Sequence, residues 1–154
     1  MAKVLRFLKW PDGNTTIILQ GKKRFETLEF LSEQPYLIAK VANLEEIRPE
    51  DADPNFSAII DSIRDLALKI IAQNPEIPSE ASFAIKNIQS NAFLVNFVSS
   101  NMDMTVAEKQ DILEQDNLEQ RALMCLKQMN VEYQKLSLKN DIQTKVRHDL
   151  DQQQ

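Results

Sequence analysis

With 154 residues, 43% of them hydrophobic, the chain suits one domain, or a small one with an appendage, and can bury a core. Its formal charge of -5 argues against a nucleic-acid-binding surface over the whole molecule, and no apolar run approaches the ~20 residues of a membrane span. Two glycines, one histidine and one cysteine exclude phosphate-cradling loops, a Gly-flanked nucleophile elbow, an HExxH zinc site and an internal disulfide.

Met1-Ala2 passes directly into Lys3-Val4-Leu5, which predicts no leader and a fold beginning mid-strand in an acidic, cytoplasmic protein. Residues 3–10 and 15–20 read as strands flanking Pro11-Asp12-Gly13-Asn14, where Pro sets φ, Asp folds back on the backbone and Gly accepts positive φ. Gly21 ends the second strand. Phe25, Leu28, Phe30 and Leu31 predict a third with imperfect alternation, and Tyr36 to Leu44, after Pro35, predicts a fourth. From Glu45 to Asp53 the carboxylates of Glu45, Glu46, Glu50, Asp51 and Asp53 surround Pro49 with no apolar period, the pattern of an acidic linker.

Asp53-Pro54 is a cap with Pro at the first helical position. Phe56, Ile59, Ile60, Ile63, Leu66, Ala67, Ile70 and Ile71 then recur at helical spacing, predicting a buried helix that ends at Asn74-Pro75. Pro78-Ser79-Glu80 opens a second helix with Phe83, Ile85 and Ile88 on its apolar side, and a short third covers Ala92 to Ser99. Thr105 with Glu108 is a capping box, and Asp116 with Glu119 its Asp variant. From Asp116 to Gln154 there is no Gly or Pro. One helix of that length spans roughly 58 Å, against a radius of gyration of about 15 Å for a compact chain of this size. Its stripe of Leu118, Ala122, Cys125, Leu126, Met129, Tyr133 and Leu136 continues as Leu138, Ile142, Val146 and Leu150 at four-residue steps, which is not a strict coiled-coil seam. Such an arm predicts packing on another subunit or on the rest of a larger polypeptide.

Several stretches in order along the chain carry a family resemblance: Leu8-Lys9-Trp10-Pro11-Asp12-Gly13, Leu19-Gln20-Gly21-Lys22-Lys23-Arg24-Phe25, Asn74-Pro75-Glu76-Ile77-Pro78-Ser79-Glu80, Glu108-Lys109-Gln110 to Leu113-Glu114, and Leu118-Glu119-Gln120-Arg121. The chain resembles the N-terminal substrate-recognition domain of Lon, the ATP-dependent serine protease La. Its tail from Ile142 to Gln154 is similar to the segment leading to the ATPase module, and the family's Pro-rich opening strands are absent. The resemblance implies a domain that engages unfolded or damaged proteins for a hexameric ATPase ring, using ATP and Mg, and a Ser-Lys protease chamber. No family catalytic residue has a matching position here, so no catalytic, cofactor or metal residue is expected in this chain.

Single features have plain readings beside the functional ones. His148 sits among Arg147, Asp149 and Asp151 as a solvated side chain, and Cys125 lies on the apolar stripe as a small buried hydrophobe. Met102, Met104, Met124 and Met129 would line an adaptable groove or fill the core, and core filling is the simpler reading. Lys9, Lys22, Lys23 and Arg24 beside Trp10 and Phe25 would form an RNA-binding patch, which the global charge opposes. Exposed Val4, Phe7, Trp10, Phe30 and Tyr36 are the candidate client-binding residues, because apolar contact is non-directional and tolerates many sequences.

The expected fold class is α+β and mostly α: a partial PUA-like antiparallel β-meander, a helical bundle and a long projecting C-terminal helix. The expected domains are residues 1–48, 53–115 and 116–154. The expected role is non-catalytic binding of unfolded polypeptides and subunit assembly, with self-association through strand edges or the helix tail. A free-standing helical adaptor and an RNA-binding PUA-like module are the alternatives.

Overall fold

The computed structural model describes residues 1–50 and 52–154; Asp51, one carboxylate of the expected acidic linker, lies outside the described residues. Two compact units divide the chain, Met1–Glu46 and Ile47–Gln154.

The first unit holds four strands, β1 (Ala2–Lys9), β2 (Thr15–Gly21), β3 (Phe25–Ser32) and β4 (Ile38–Asn43). The expected meander is divided: β1 pairs with β2 and β3 with β4, both antiparallel, in two separate sheets. The residues after β2 turn elsewhere, since the Lys22 and Lys23 amides donate to the Met1 carbonyl at 2.8 and 3.3 Å and extend the first hairpin. The turn between β1 and β2 is built as its residues dictate. Gly13 has φ +87°, the Trp10 amide donates to the Asn14 carbonyl at 2.8 Å, and Asp12 accepts from the Asn14 amide at 3.0 Å and from its side chain at 2.8 Å. Those donors hold the Asp12 carboxyl below its ordinary range. The fourth strand starts at Ile38, not at Tyr36, because the chain is still bending there and the Ser32 hydroxyl donates to the Gln34 carbonyl at 2.7 Å inside the connection.

The second unit holds five helices: α1 (Pro54–Gln73), α2 (Glu80–Asn87), α3 (Asn91–Asn101), α4 (Val106–Glu114) and α5 (Leu118–Gln153). Asp53 caps α1 by accepting from the Asn55 and Phe56 amides, and the Thr105–Glu108 capping box at α4 is formed in both directions. Two caps differ from expectation. Ser79 makes no side-chain cap bond at α2, its own backbone being already helical. At α5 the cap is Asn117, not Asp116, with its side chain accepting from the Gln120 amide at 3.0 Å. The reason is a parallel bridge between Ile47 and Asn117: the Ile47 amide donates to the Asp116 carbonyl at 3.0 Å and the Leu118 amide to the Ile47 carbonyl at 2.9 Å. That bridge holds Asn117 extended, so the helix opens one residue later, at Leu118. Glu119 then accepts from the Asn55 side chain at 2.7 Å instead of closing a box.

The core of this unit lies where α1 and α3 face the first half of α5. Ile63, Leu94, Val95, Ala122 and Cys125 have no exposed surface, and Ile59, Ile60, Leu66, Ile70 and Met129 close around them. Met102 belongs to the same cluster and Met104 packs on it, so these methionines fill the core. Arg121 is buried too, its guanidinium donating to the Gln115 carbonyl at 2.9 Å. At the far end of α1, Gln73 gathers three residues of α5. Its side-chain amide donates to the Tyr133 hydroxyl at 3.2 Å, and it accepts from Ser137 at 3.2 Å and from Asn140 at 3.3 Å. Past Asn140 every residue of α5 is exposed, a length of roughly 20 Å at 1.5 Å per residue.

Candidate functional site

None of the residues in the two hairpins of Met1–Glu46 is buried, although their strands are rich in Val, Ile, Leu and Phe. The five candidate residues Val4, Phe7, Trp10, Phe30 and Tyr36 are between 53% and 67% exposed. How they are arranged depends on register. Strict alternation puts Val4 and Phe7 on opposite faces, because they are three positions apart in the strand. The pairing shifts between Val4 and Arg6, so Val4 stands opposite Leu19 and Phe7 opposite Ile17. Leu19 and Ile17 share a face, so the irregularity assembles one apolar face from Val4, Phe7, Ile17 and Leu19. The Lys9 ammonium lies 5.7 Å from the Phe7 ring on that face. Trp10 belongs to the other face, where its indole N–H donates to the Thr16 hydroxyl at 2.8 Å.

The second hairpin uses the same device twice. Register shifts between Thr27 and Glu29 and between Phe30 and Ser32 set Phe25 opposite Asn43, Thr27 opposite Val41 and Phe30 opposite Ala39. Phe25, Val41 and Phe30 therefore line one face, and Glu26, Glu29 and Lys40 the other. Leu28 and Leu31 are the extra residues, which explains the imperfect alternation of the sequence. Tyr36 lies outside the strands, in the connection from β3 to β4. Val4 and Phe7 are thus gathered on one face, while Trp10, Phe30 and Tyr36 are each set apart from them. Ile17, Leu19, Phe25 and Val41 join these faces and were not singled out in the sequence; only the register brings them in.

The cations suggested for RNA do not converge. Lys22 and Lys23 lie beside Met1, at the start of β1, whereas Lys9 and Trp10 lie at its end, more than ~20 Å away at about 3.3 Å per strand residue.

On the helical unit a shallow cleft of about 170 Å³ is lined by Asp103, Gln128, Val131, Glu132, Lys135, Leu136 and Lys139. Burial raises the Glu132 carboxyl above its ordinary range and the Asp103 carboxylate adds to the rise, while the Asp103 amide and the Lys135 ammonium oppose it. The Cys125 thiol is buried against the Met129 sulfur at 3.9 Å, and burial pushes it up to about 11. His148 is exposed on α5, 2.9 Å from the Gln152 side-chain nitrogen. Among the described residues no cluster of His, Cys, Asp and Glu is able to hold a metal, and no helix is long and apolar enough to cross a membrane.

Residues 1–131 match the family model described as the ATP-dependent protease La (LON) substrate-binding domain. The chain belongs to the Lon substrate-binding domain family. The Lon protease of Flavobacterium johnsoniae is 60% identical over 154 residues, covering 100% of this chain and 19% of that protein. The Lon protease of Karelsulcia muelleri is 48% identical over 154 residues, covering 100% of this chain and 18% of that protein. The chain thus spans about a fifth of the length of these curated relatives. The fold is similar to that of the N terminal domain of Mycobacterium avium complex Lon protease, with a TM-score of 0.70 at 17% identity over 84% of this chain and 67% of that one.

Proposed function

We propose that this Lon domain binds unfolded or damaged polypeptides and helps subunits assemble. It serves a longer, hexameric, cytoplasmic protease whose ATPase module uses ATP and Mg and whose Ser-Lys module cuts the chain. The observation that carries the binding role is the pair of unburied apolar hairpin faces, Val4, Phe7, Ile17 and Leu19 on one and Phe25, Phe30 and Val41 on the other. Apolar contact needs no fixed partner geometry, so such faces accept many sequences, provided that the client exposes its own apolar residues. A folded protein rarely does. The chain's own role in this reading is capture, with no bond made or broken.

The test is photocrosslinking of the chain to an unfolded client, with and without an excess of the same client folded. The unfolded form should label strongly and the folded form should not compete. Phe7→Ser and Phe30→Ser, both at exposed positions, should weaken labelling while the helical circular dichroism stays unchanged. Equal labelling of folded and unfolded client removes substrate recognition from the account.

A further inference from the structure

Among the described residues each sheet has two strands, so every strand turns one edge away from its partner. Natural edges are guarded against further pairing by charged side chains and by bulges. Strand β1 carries Lys3, Arg6 and Lys9 and skips Leu5 in its ladder, β3 carries Glu26 and Glu29 and skips Leu28 and Leu31, and β4 carries Lys40. Strand β2 has neither guard. Thr15–Gly21 contains no charged residue, and all seven of its residues stand in the ladder without a gap. Its outward N–H and C=O groups are a template for the backbone of one more strand.

The two faces beside that edge select what the added strand carries. One is the apolar face of Val4, Phe7, Ile17 and Leu19. On the other, Lys3 stands opposite Gln20 and Arg6 opposite Ile18, with no carboxylate in either strand. A strand added to β2 lies two strand spacings, about 10 Å, from β1. A glutamate reaching back and a Lys or Arg reaching forward close that gap, and it is no longer than a Debye length at about 0.1 M salt. Residues 1–24 hold Lys3, Arg6, Lys9, Lys22, Lys23 and Arg24 against Asp12 alone, in a chain whose net charge is -5. A second copy of this hairpin would bring like charges together, so charge selects an acidic partner instead. We infer that the free edge of β2 adds an extended client segment in which apolar and acidic residues alternate, the apolar ones beside Ile17 and Leu19 and the acidic ones facing Lys3 and Arg6. The inference rests on the capture reading of the same hairpin and gives it a mode: backbone pairing supplies affinity, and alternation supplies selection.

A fluorescent peptide as long as β2, alternating glutamate with valine, tests it by anisotropy. At low salt the chain should bind it about fivefold more tightly than the same peptide with lysine for glutamate, and K3E/R6E should reverse that order. Methylating every second backbone nitrogen of the glutamate peptide separates backbone pairing from apolar contact alone. In one frame the methyl groups replace the donors that face β2, and binding should be lost; in the other they face away, and binding should persist. No binding by any of these peptides, equal binding of the two methylated ones, or a preference for lysine overturns the inference. Unfolded client that still labels the chain then leaves the capture reading standing, and client that does not label removes it as well. Single-stranded RNA that displaces the glutamate peptide and binds more tightly assigns the edge to a polyanion and also overturns the inference.

Discussion

The strongest energetic statement in the structure is that stability resides where α1 meets the first half of α5, and two isoleucines test it by the same substitution. Ile63 is 0% exposed and Ile142 is 53% exposed. Ile63→Ala deletes three buried carbons, each worth about 0.8 kcal/mol of transfer free energy, or about 2.4 kcal/mol together. The cavity left in the core cluster to which Ile63 belongs adds to this, for a total of about 3–4 kcal/mol. Ile142→Ala gives up a half-exposed side chain and gains helix propensity, so its cost is less than about 1 kcal/mol. Urea unfolding followed by the far-ultraviolet helix signal measures both, at a protein concentration low enough that self-association does not contribute. Against a total of about 5–15 kcal/mol for a typical domain, Ile63→Ala should move the midpoint far down with little change in slope. Equal losses at the two positions, or a loss below about 1 kcal/mol at Ile63, refute this placement of the core.

Asp53→Ala removes the side chain that accepts from the Asn55 and Phe56 amides and should cost about 1 kcal/mol in the same unfolding assay. Cys125, buried and with its thiol pushed up to about 11, should not react with a thiol reagent at pH 8 until the chain unfolds, so that labelling follows the opening of the bundle; rapid native labelling contradicts the packing. Glu132 has a folded-state pKa raised above its ordinary 4.5. Its contribution is therefore fully present below about pH 4.5 and is lost as pH rises through the folded value. Glu132→Gln should remove this decline and leave a flatter stability profile on the alkaline side, and an unchanged profile contradicts the assignment.

The helical half was legible because its signals are local. Asp53-Pro54, the Thr105 and Glu108 pair and the 3.6-residue period of Phe56 to Ile70 each act within a turn or two of the residue that carries them. The absence of Gly and Pro after Asp116 likewise suffices for one long helix, observed over Leu118–Gln153. The Asn117 cap was not legible, since it depends on a bridge to Ile47 from a distant part of the chain. The exposure expected of Val4, Phe7, Trp10, Phe30 and Tyr36 is observed, but their grouping was not legible in the sequence. Val4 and Phe7 share a face, and Phe25, Phe30 and Val41 another, only through register shifts.

Composition and periodicity alone determined a mostly helical α+β chain with a hairpin turn at Pro11–Asn14 and a helix too long to be buried along its length. Both follow from the intrinsic preferences of neighbouring residues. Tertiary structure decided which strands pair, where each ladder slips by a residue, which cap opens α5, and that the apolar ridge past Asn140 finds no cover within the helical unit. These depend on hydrogen bonds and contacts between residues far apart in the chain, whose free energies are set by three-dimensional proximity that no local pattern encodes.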